Sequence, residues 1–326
     1  MKILVVRNDK LGDFITALPS LFIIKQHLPD CHLAVLIAPL NESVALECDF
    51  IDEIIIDEGQ KAKELAKFLK PKQFDISITL FSNTRVAMAQ FLARIPKRIA
   101  PATKLAQVFY TKRVKQRRSE VKMAEFEYNM QLVKATFPDI KLDYPQPLLT
   151  FSQEEKEEVY RAFQAETAAT KSVIAFHPGF GGSSDANWDV SEYLEIAREI
   201  VSLEEIDVVF TFGPGDEKFL ETFNDLKGDL NVKMYESKGS VSDFAKLIAS
   251  FELFVSTSTG TYHIASAVGT KTMTFFADTL FASSKRWKSI GDIELQNNYM
   301  IPLDENRRKS LLDKVKEDIK FLVKEK

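Results

Sequence analysis

Along the chain, short apolar runs alternate with longer stretches in which apolar positions recur every three or four residues. The runs at residues 3–6, 33–37, 53–56 and 76–80 predict strands, and residues 13–27, 42–48, 61–69 and 84–92 between them predict helices. The first helix opens at Gly12-Asp13 and carries Phe14, Leu18, Leu21, Phe22 and Lys25 at spacings of three and four, so one face is expected to pack on a sheet. Residues 138–150 (PDIKLDYPQPLLT) hold three prolines and no helical period, which predicts a connector. The alternation then resumes, with strands expected at 172–176, 207–212, 232–235, 253–256 and 272–276. Helices are expected at 190–201, 217–226 and 242–250, with another running through 263–268. The closing stretch 305–326 predicts one amphipathic helix with Leu311, Leu312, Val315, Ile319 and Leu322 on one side. This order predicts an α/β protein with mostly parallel sheets, divided into Rossmann-like domains at 1–150 and 151–326 that face each other across a cleft.

Composition narrows the class. The chain has 326 residues, 45% hydrophobic and 28% charged, with 12 glycines and 12 prolines, which excludes disordered, collagen-like and low-complexity architectures. Lys+Arg 43 against Asp+Glu 47 leaves a net charge of -4 and argues against a nucleic-acid partner. Cys31 and Cys48 lie outside metal-ligand spacing and are too few for a disulfide framework. His27, His32, His177 and His263 are scattered, so no metal site is expected. The apolar run at 3–6 is followed at once by Arg7, Asp9 and Lys10, unlike a signal peptide. No uncharged stretch approaches the roughly 18 residues of a spanning helix. These features predict a cytoplasmic protein, with contact to the inner face of a membrane allowed.

In open α/β sheets ligands bind beyond the carboxyl ends of the strands, and four loops are expected there. RNDKLGD (7–13) puts Asp13 in the first turn of a helix, where it either caps the helix or stands as a general base. Arg7 and Lys10 in the same loop either bind an anionic acceptor or are solvated. HPGFGGSSDANW (177–188) is glycine-rich without being a Walker loop or GxGxxG; Gly179, Gly181, Ser183 and Ser184 suit it to a phosphate, and His177 reads equally as a structural hydrogen bonder. GPGDE (213–217) offers Glu217 as a cap or as a partner for ribose hydroxyls. STSTGTYHIASAVG (256–269) places Ser258, Thr259 and Gly260 at a helix N-terminus suited to an anion, with His263 one turn further in. Three phosphate-suited loops in one half point to a nucleotide-type ligand there.

These segments resemble glycosyltransferase family 9, the bacterial heptosyltransferases of lipopolysaccharide core assembly, over nearly the whole chain. VVRNDKLGDFITALPSLFIIKQHLPD is similar to that family's strand, Gly-Asp loop and "ALPAL" helix. HPGFGGSSDANWDVSEY is similar to its "HPG…W" segment, and FGPGDE to its "GxxxE" loop. LIASFELFVSTSTGTYHIASAVGTKTMTFFADT is similar to its "DSGxxHxAAAxGxPxxxxFG" motif. The resemblance implies a GT-B architecture, with the acceptor held by the first domain and a nucleotide-sugar, ADP-heptose in most members, held by the second. It implies inverting transfer with no cofactor or metal and with Asp13 as general base. Glu217 would hold the ribose and His263 would sit near the phosphates.

Two positions depart from the family pattern. Ser258 stands where an acid is usual, and Ala186 where a lysine is common, so a different donor sugar or an inactive sugar-nucleotide binder are the alternatives. Lys10, Lys285 and Arg286 are candidate replacements for the missing cation. An NAD-type oxidoreductase is a weaker rival, because GxGxxG is absent.

Residues 97–122 are the most lopsided in charge: Lys97, Arg98, Lys104, Lys112, Arg113, Lys115, Arg117, Arg118 and Lys122, with Glu120 the only acid. They read either as a solvated loop or as a patch in which Arg113, Arg117 and Arg118 meet phosphorylated lipid A and core at the inner-membrane surface.

Overall fold

The computed structural model describes residues 1–103, 105–179 and 187–324. The chain divides into two compact units, Met1–Leu148 and Leu149–Lys326. Each holds one six-stranded, all-parallel sheet.

In the first unit the strands are β1 (Lys2–Arg7), β2 (His32–Ile37), β3 (Glu53–Ile56), β4 (Ile76–Thr79), β5 (Lys97–Pro101) and β6 (Lys112–Val114), in the order β3-β2-β1-β4-β5-β6. β1 and β2 are apolar over most of their length because both faces are covered by helices. Leu4, Val6, Leu36, Ile55, Leu65 and Val86 meet in one core cluster, where each large aliphatic side chain contributes about 1.5–3 kcal/mol by leaving water.

The helix expected at 13–27 is two helices, Leu11–Ile15 and Leu18–His27. Pro19 has no N–H to give the preceding turn, and its ring opposes the carbonyl four residues back, so the first helix ends at Ile15. The second is buried on nearly every side rather than along one face. The basic run, in which no strand was expected, contains two: β5 pairs with β4, and β6 extends the sheet at Ile99↔Lys112.

The second unit comprises β7 (Ser172–His177), β8 (Ile206–Phe212), β9 (Lys233–Glu236), β10 (Leu253–Thr257), β11 (Lys271–Ala277) and β12 (Gln296–Ile301), ordered β12-β11-β10-β7-β8-β9. Read from its first strand, this is the same winding as in the first unit. In both sheets the first strand lies beside the fourth, so the connections leave in opposite directions from that pair. That reversal is the switch point where α/β sheets bind ligands. The terminal helix Glu305–Lys324 buries Leu312, Val315, Ile319 and Val323, with Leu311 and Leu322 packed partly against the same core. None of the helices among the described residues is long and apolar enough to cross a membrane.

Candidate active site

At the first switch point, β1 ends in Arg7 and leads directly into the Asp13 helix. Arg7 is 1% exposed, so the expectation that it is solvated or bound to an acceptor gives way to a different role. Its Nε donates to Asp9 at 2.9 Å, Nη1 reaches Glu125 and Asn129 at 3.3 Å each, and Nη2 donates to the Asp13 carboxylate. Burial alone would lower the Arg7 pKa, but Asp9, Asp13 and Glu125 outweigh it and hold it above the ordinary arginine value. Burial raises the Asp9 carboxyl; Arg7 opposes that rise and Asp13 adds to it. Asp13 keeps partial exposure, 18% of its side chain, and so combines a fixed orientation with access to solvent. Lys10 is exposed, and its carbonyl accepts from Phe14 N–H at 3.0 Å.

Glu125 and Asn129 were not anticipated. Both lie on the helix Glu125–Thr136, packed against Leu18–His27, and they stand 118 and 122 residues from Arg7 in sequence. Asn129 Nδ2 also donates to the Thr16 carbonyl at 3.2 Å, satisfying the backbone at the break between the two opening helices. Arg118 joins this network: its guanidinium pairs with Glu125, donates to the Leu80 carbonyl at 3.1 Å and lies over the Tyr128 ring. Arg118 is therefore turned inward, whereas Arg117, paired with Glu120 at 3.1 Å, and Arg113 on β6 are exposed. The basic run is not one patch. Phe81, just past β4 and 44% exposed, places its ring centroid 5.9 Å from the Arg7 guanidinium.

At the second switch point the groups are mostly neutral. His177 at the end of β7 is 5% exposed, with Nδ1 3.1 Å from Thr211 Oγ1 and Nε2 3.8 Å from the Asp216 carboxylate. Burial lowers its pKa against the opposing pull of Asp216 and Thr211. Asp216 also accepts from Gly213 N–H at 2.8 Å and packs on Gly179, where a Cβ would overlap its carboxylate. A side chain at 179 would therefore have to displace the Asp216 carboxylate. Glu217 is exposed and accepts from Gly215 N–H at 3.2 Å, just ahead of its own helix. Gly215 has φ +94, a left-handed conformation that suits glycine.

After β10, the Ser258 N–H donates to the Phe275 carbonyl at 2.9 Å, and Thr259 precedes the helix Gly260–Ala267. Thr259 and Thr261 hydroxyls lie 2.9 Å apart, and Thr257 Oγ1 donates to Asn187 Oδ1 at 2.6 Å. The first-turn amides of such a helix have no partner within it and carry partial positive charge, which favours an anion. His263 is 3% exposed with Nδ1 3.1 Å from Ser289 Oγ, and its ring meets Trp287 edge-on at 6.3 Å. Arg286 is buried with its guanidinium 3.6 Å from the Phe281 ring centroid and 4.7 Å from that of Trp287, while Lys285 is exposed. Gly181, Ser183, Ser184 and Ala186 lie outside the described residues. Among the described residues, no group of three or more His, Cys, Asp and Glu side chains is arranged to hold a metal ion.

Two parallel units of one winding, each with a switch point of its own, give a GT-B-type architecture. The profile of glycosyltransferase family 9 (heptosyltransferase) matches residues 62–314, and the chain belongs to that family. A Haemophilus influenzae protein provisionally described as a glycosyltransferase is 34% identical over 302 residues, covering 90% of this chain and 87% of its own. Lipooligosaccharide heptosyltransferase 2 of Campylobacter jejuni is 24% identical over 311 residues, covering 93% of this chain and 88% of its own. Among solved structures, E. coli ADP-heptose lps heptosyltransferase II superposes with a TM-score of 0.80 at 19% identity, over 99% of this chain and 98% of its own.

Proposed function

We propose that the protein transfers a heptose from ADP-heptose to a hydroxyl of a lipopolysaccharide-type core, with inversion at the anomeric carbon. Asp13 takes the proton of the acceptor hydroxyl as its oxygen forms the new bond to that carbon. The bond from the carbon to the diphosphate oxygen breaks, and the leaving diphosphate takes the electron pair. The negative charge that develops is stabilised by the first-turn amides of Gly260–Ala267 and the Thr259 hydroxyl. Glu217 meets the ribose, and Lys10, Arg113 and Arg117 meet phosphates of the acceptor.

The observation that carries this reading is the buried Arg7 holding one oxygen of a partly exposed Asp13 carboxylate. The guanidinium fixes the carboxylate's orientation and leaves its other oxygen for the proton. The named activities of the relatives, lipooligosaccharide heptosyltransferase and ADP-heptose lps heptosyltransferase, support the choice of donor and acceptor.

Asp13→Asn is expected to lower transfer roughly a hundredfold to ten-thousandfold while leaving donor affinity unchanged. Undiminished turnover in that variant overturns the assignment of the base. Ser258, neutral where the family motif carries an acid, favours a second reading in which the donor is another nucleotide-sugar. Calorimetric titration with ADP-, UDP- and GDP-sugars decides between the two.

A further inference from the structure

The proposed acceptor is lipid-linked, and the first unit carries a surface suited to the lipid itself. From Ile76 to Ser119 the chain has no acidic residue. The helix Thr84–Leu92 ends in Phe91 and Leu92, which are 49% and 38% exposed. Beside it runs the 3-10 turn Leu105–Phe109, joined to the helix by a 5.7 Å contact between the Phe91 and Phe109 rings. Residues three apart on such a turn share a side, and here that pair is Leu105 and Val108, 80% and 65% exposed, while Ala106 between them is buried.

Next to this apolar face lies an open cavity of about 480 Å³ lined by Lys70, Phe91, Leu92, Arg94, Ile95, Pro96 and Arg98. It has three cations, no acid and an aliphatic-aromatic wall. Arg98 is fixed in it, with Nε donating to the Phe109 carbonyl at 2.7 Å and its guanidinium 5.6 Å from the Phe91 ring centroid. Arg94 to Arg98 precede and enter β5, so this cavity lies at the amino edge of the sheet, opposite the edge that carries Asp13.

We propose that this face, with Leu105 and Val108 at its crest and the Lys70–Arg94–Arg98 cavity beside them, docks on an anionic lipid bilayer. The charge complementarity selects the occupant. A neutral protein surface would meet the four exposed apolar side chains but offer no anion to the exposed Lys70 and Arg94 or to Arg98 in the same cavity. An anionic bilayer offers acyl chains to the first and headgroup phosphates to the second. The inference rests on the lipid-linked acceptor for its biological sense but not for its test, which needs neither donor nor acceptor.

The full chain is sedimented with vesicles of phosphatidylcholine alone and of phosphatidylcholine with phosphatidylglycerol. Binding is expected only to the second kind and is expected to weaken as salt rises. Leu105→Ser with Val108→Ser is expected to weaken partition by about tenfold or more. Lys70→Ser and Arg94→Ser are each expected to weaken it about fivefold. A thermal melt equal to that of the parent shows that these surface variants fold. Equal binding to both vesicle types, or binding unchanged in the variants, overturns the proposal. A concentration-dependent dimer that Leu105→Ser abolishes also overturns it, because a second copy would then be the occupant. Vesicle binding that follows the expected pattern in a chain inactive on every donor upholds the surface and overturns only the proposed reaction.

Discussion

The two units wind their sheets alike and equip their switch points with opposite chemistry. In the first, two guanidiniums, Arg7 and Arg118, meet the three carboxylates of Asp9, Asp13 and Glu125 at a buried seam. In the second, His177, Thr211, Thr257, Thr259, His263 and Ser289 hold the loops through hydroxyl and imidazole contacts, with Asp216 the one carboxylate drawn in among the described residues. Under the proposed reaction, the difference follows from what each end would handle. A proton acceptor must keep its charge and its direction before substrate arrives, so charges fixed in advance serve it. A site for a diphosphate brings its anion in with the ligand, and a buried carboxylate facing it would repel that anion.

The comparison breaks most sharply at Arg7. Arg7→Met leaves three carboxylates around an uncharged side chain and is expected to cost about 3–5 kcal/mol of stability in urea denaturation, with Arg7→Lys falling between. A loss under about 1 kcal/mol would show that the seam is not held by charge. In the second unit the corresponding weak point is space. A Cβ on Gly291 would overlap the Ser266 carbonyl on the helix Gly260–Ala267. Gly291→Ala is therefore expected to cost about 1–3 kcal/mol and to weaken ADP binding by calorimetry. Unchanged ADP affinity in a destabilised variant would separate that helix from the donor site.

The smallest effects are in pH, and they run in opposite directions. The Asp9 pKa is raised by burial, so its contribution to stability is complete below the ordinary carboxylate range and is lost as pH rises through the higher folded value. The His177 pKa is lowered by burial, so its contribution is present above the ordinary histidine value and is lost as pH falls through the lower folded value. Asp9→Asn is expected to flatten the fall in Tm as pH rises from the ordinary carboxylate range to about 7, and His177→Gln the fall in Tm as pH drops below the ordinary histidine value, each by a few degrees at most. Changes of the same sign in the two variants would contradict the difference between the seams.

Much of the scaffold was legible because its central strands are buried on both faces and read as unbroken apolar runs, as in β1 and β7. β5, β6 and β12 were not read. β6 and β12 lie at sheet edges, and KRV and QNNYMI alternate too little and expose too much to stand out from loops, while β5 opens on Lys97 and Arg98 and buries only residues 99–101. The helix Gln153–Thr167 was also missed, although Ser152 and Glu155 form a capping box at its start. Its polar surface hides the helical period. Asp13 was legible from its own loop, since a carboxylate in a first helical turn is a local pattern. Glu125 and Asn129 were not, because only the folded chain brings the helix Glu125–Thr136 under Arg7.

Because one guanidinium serves Asp9, Asp13 and Glu125 at once, these positions are not independent in evolution or in the laboratory. A substitution at any one of them changes the charge that the others must balance, so effects of single changes will not sum. Neutral Asn at position 9 is expected to be tolerated in one background and harmful in another, according to what stands at 7 and 125. The Asp13 loop can therefore drift only by steps that answer one another across the helix Glu125–Thr136.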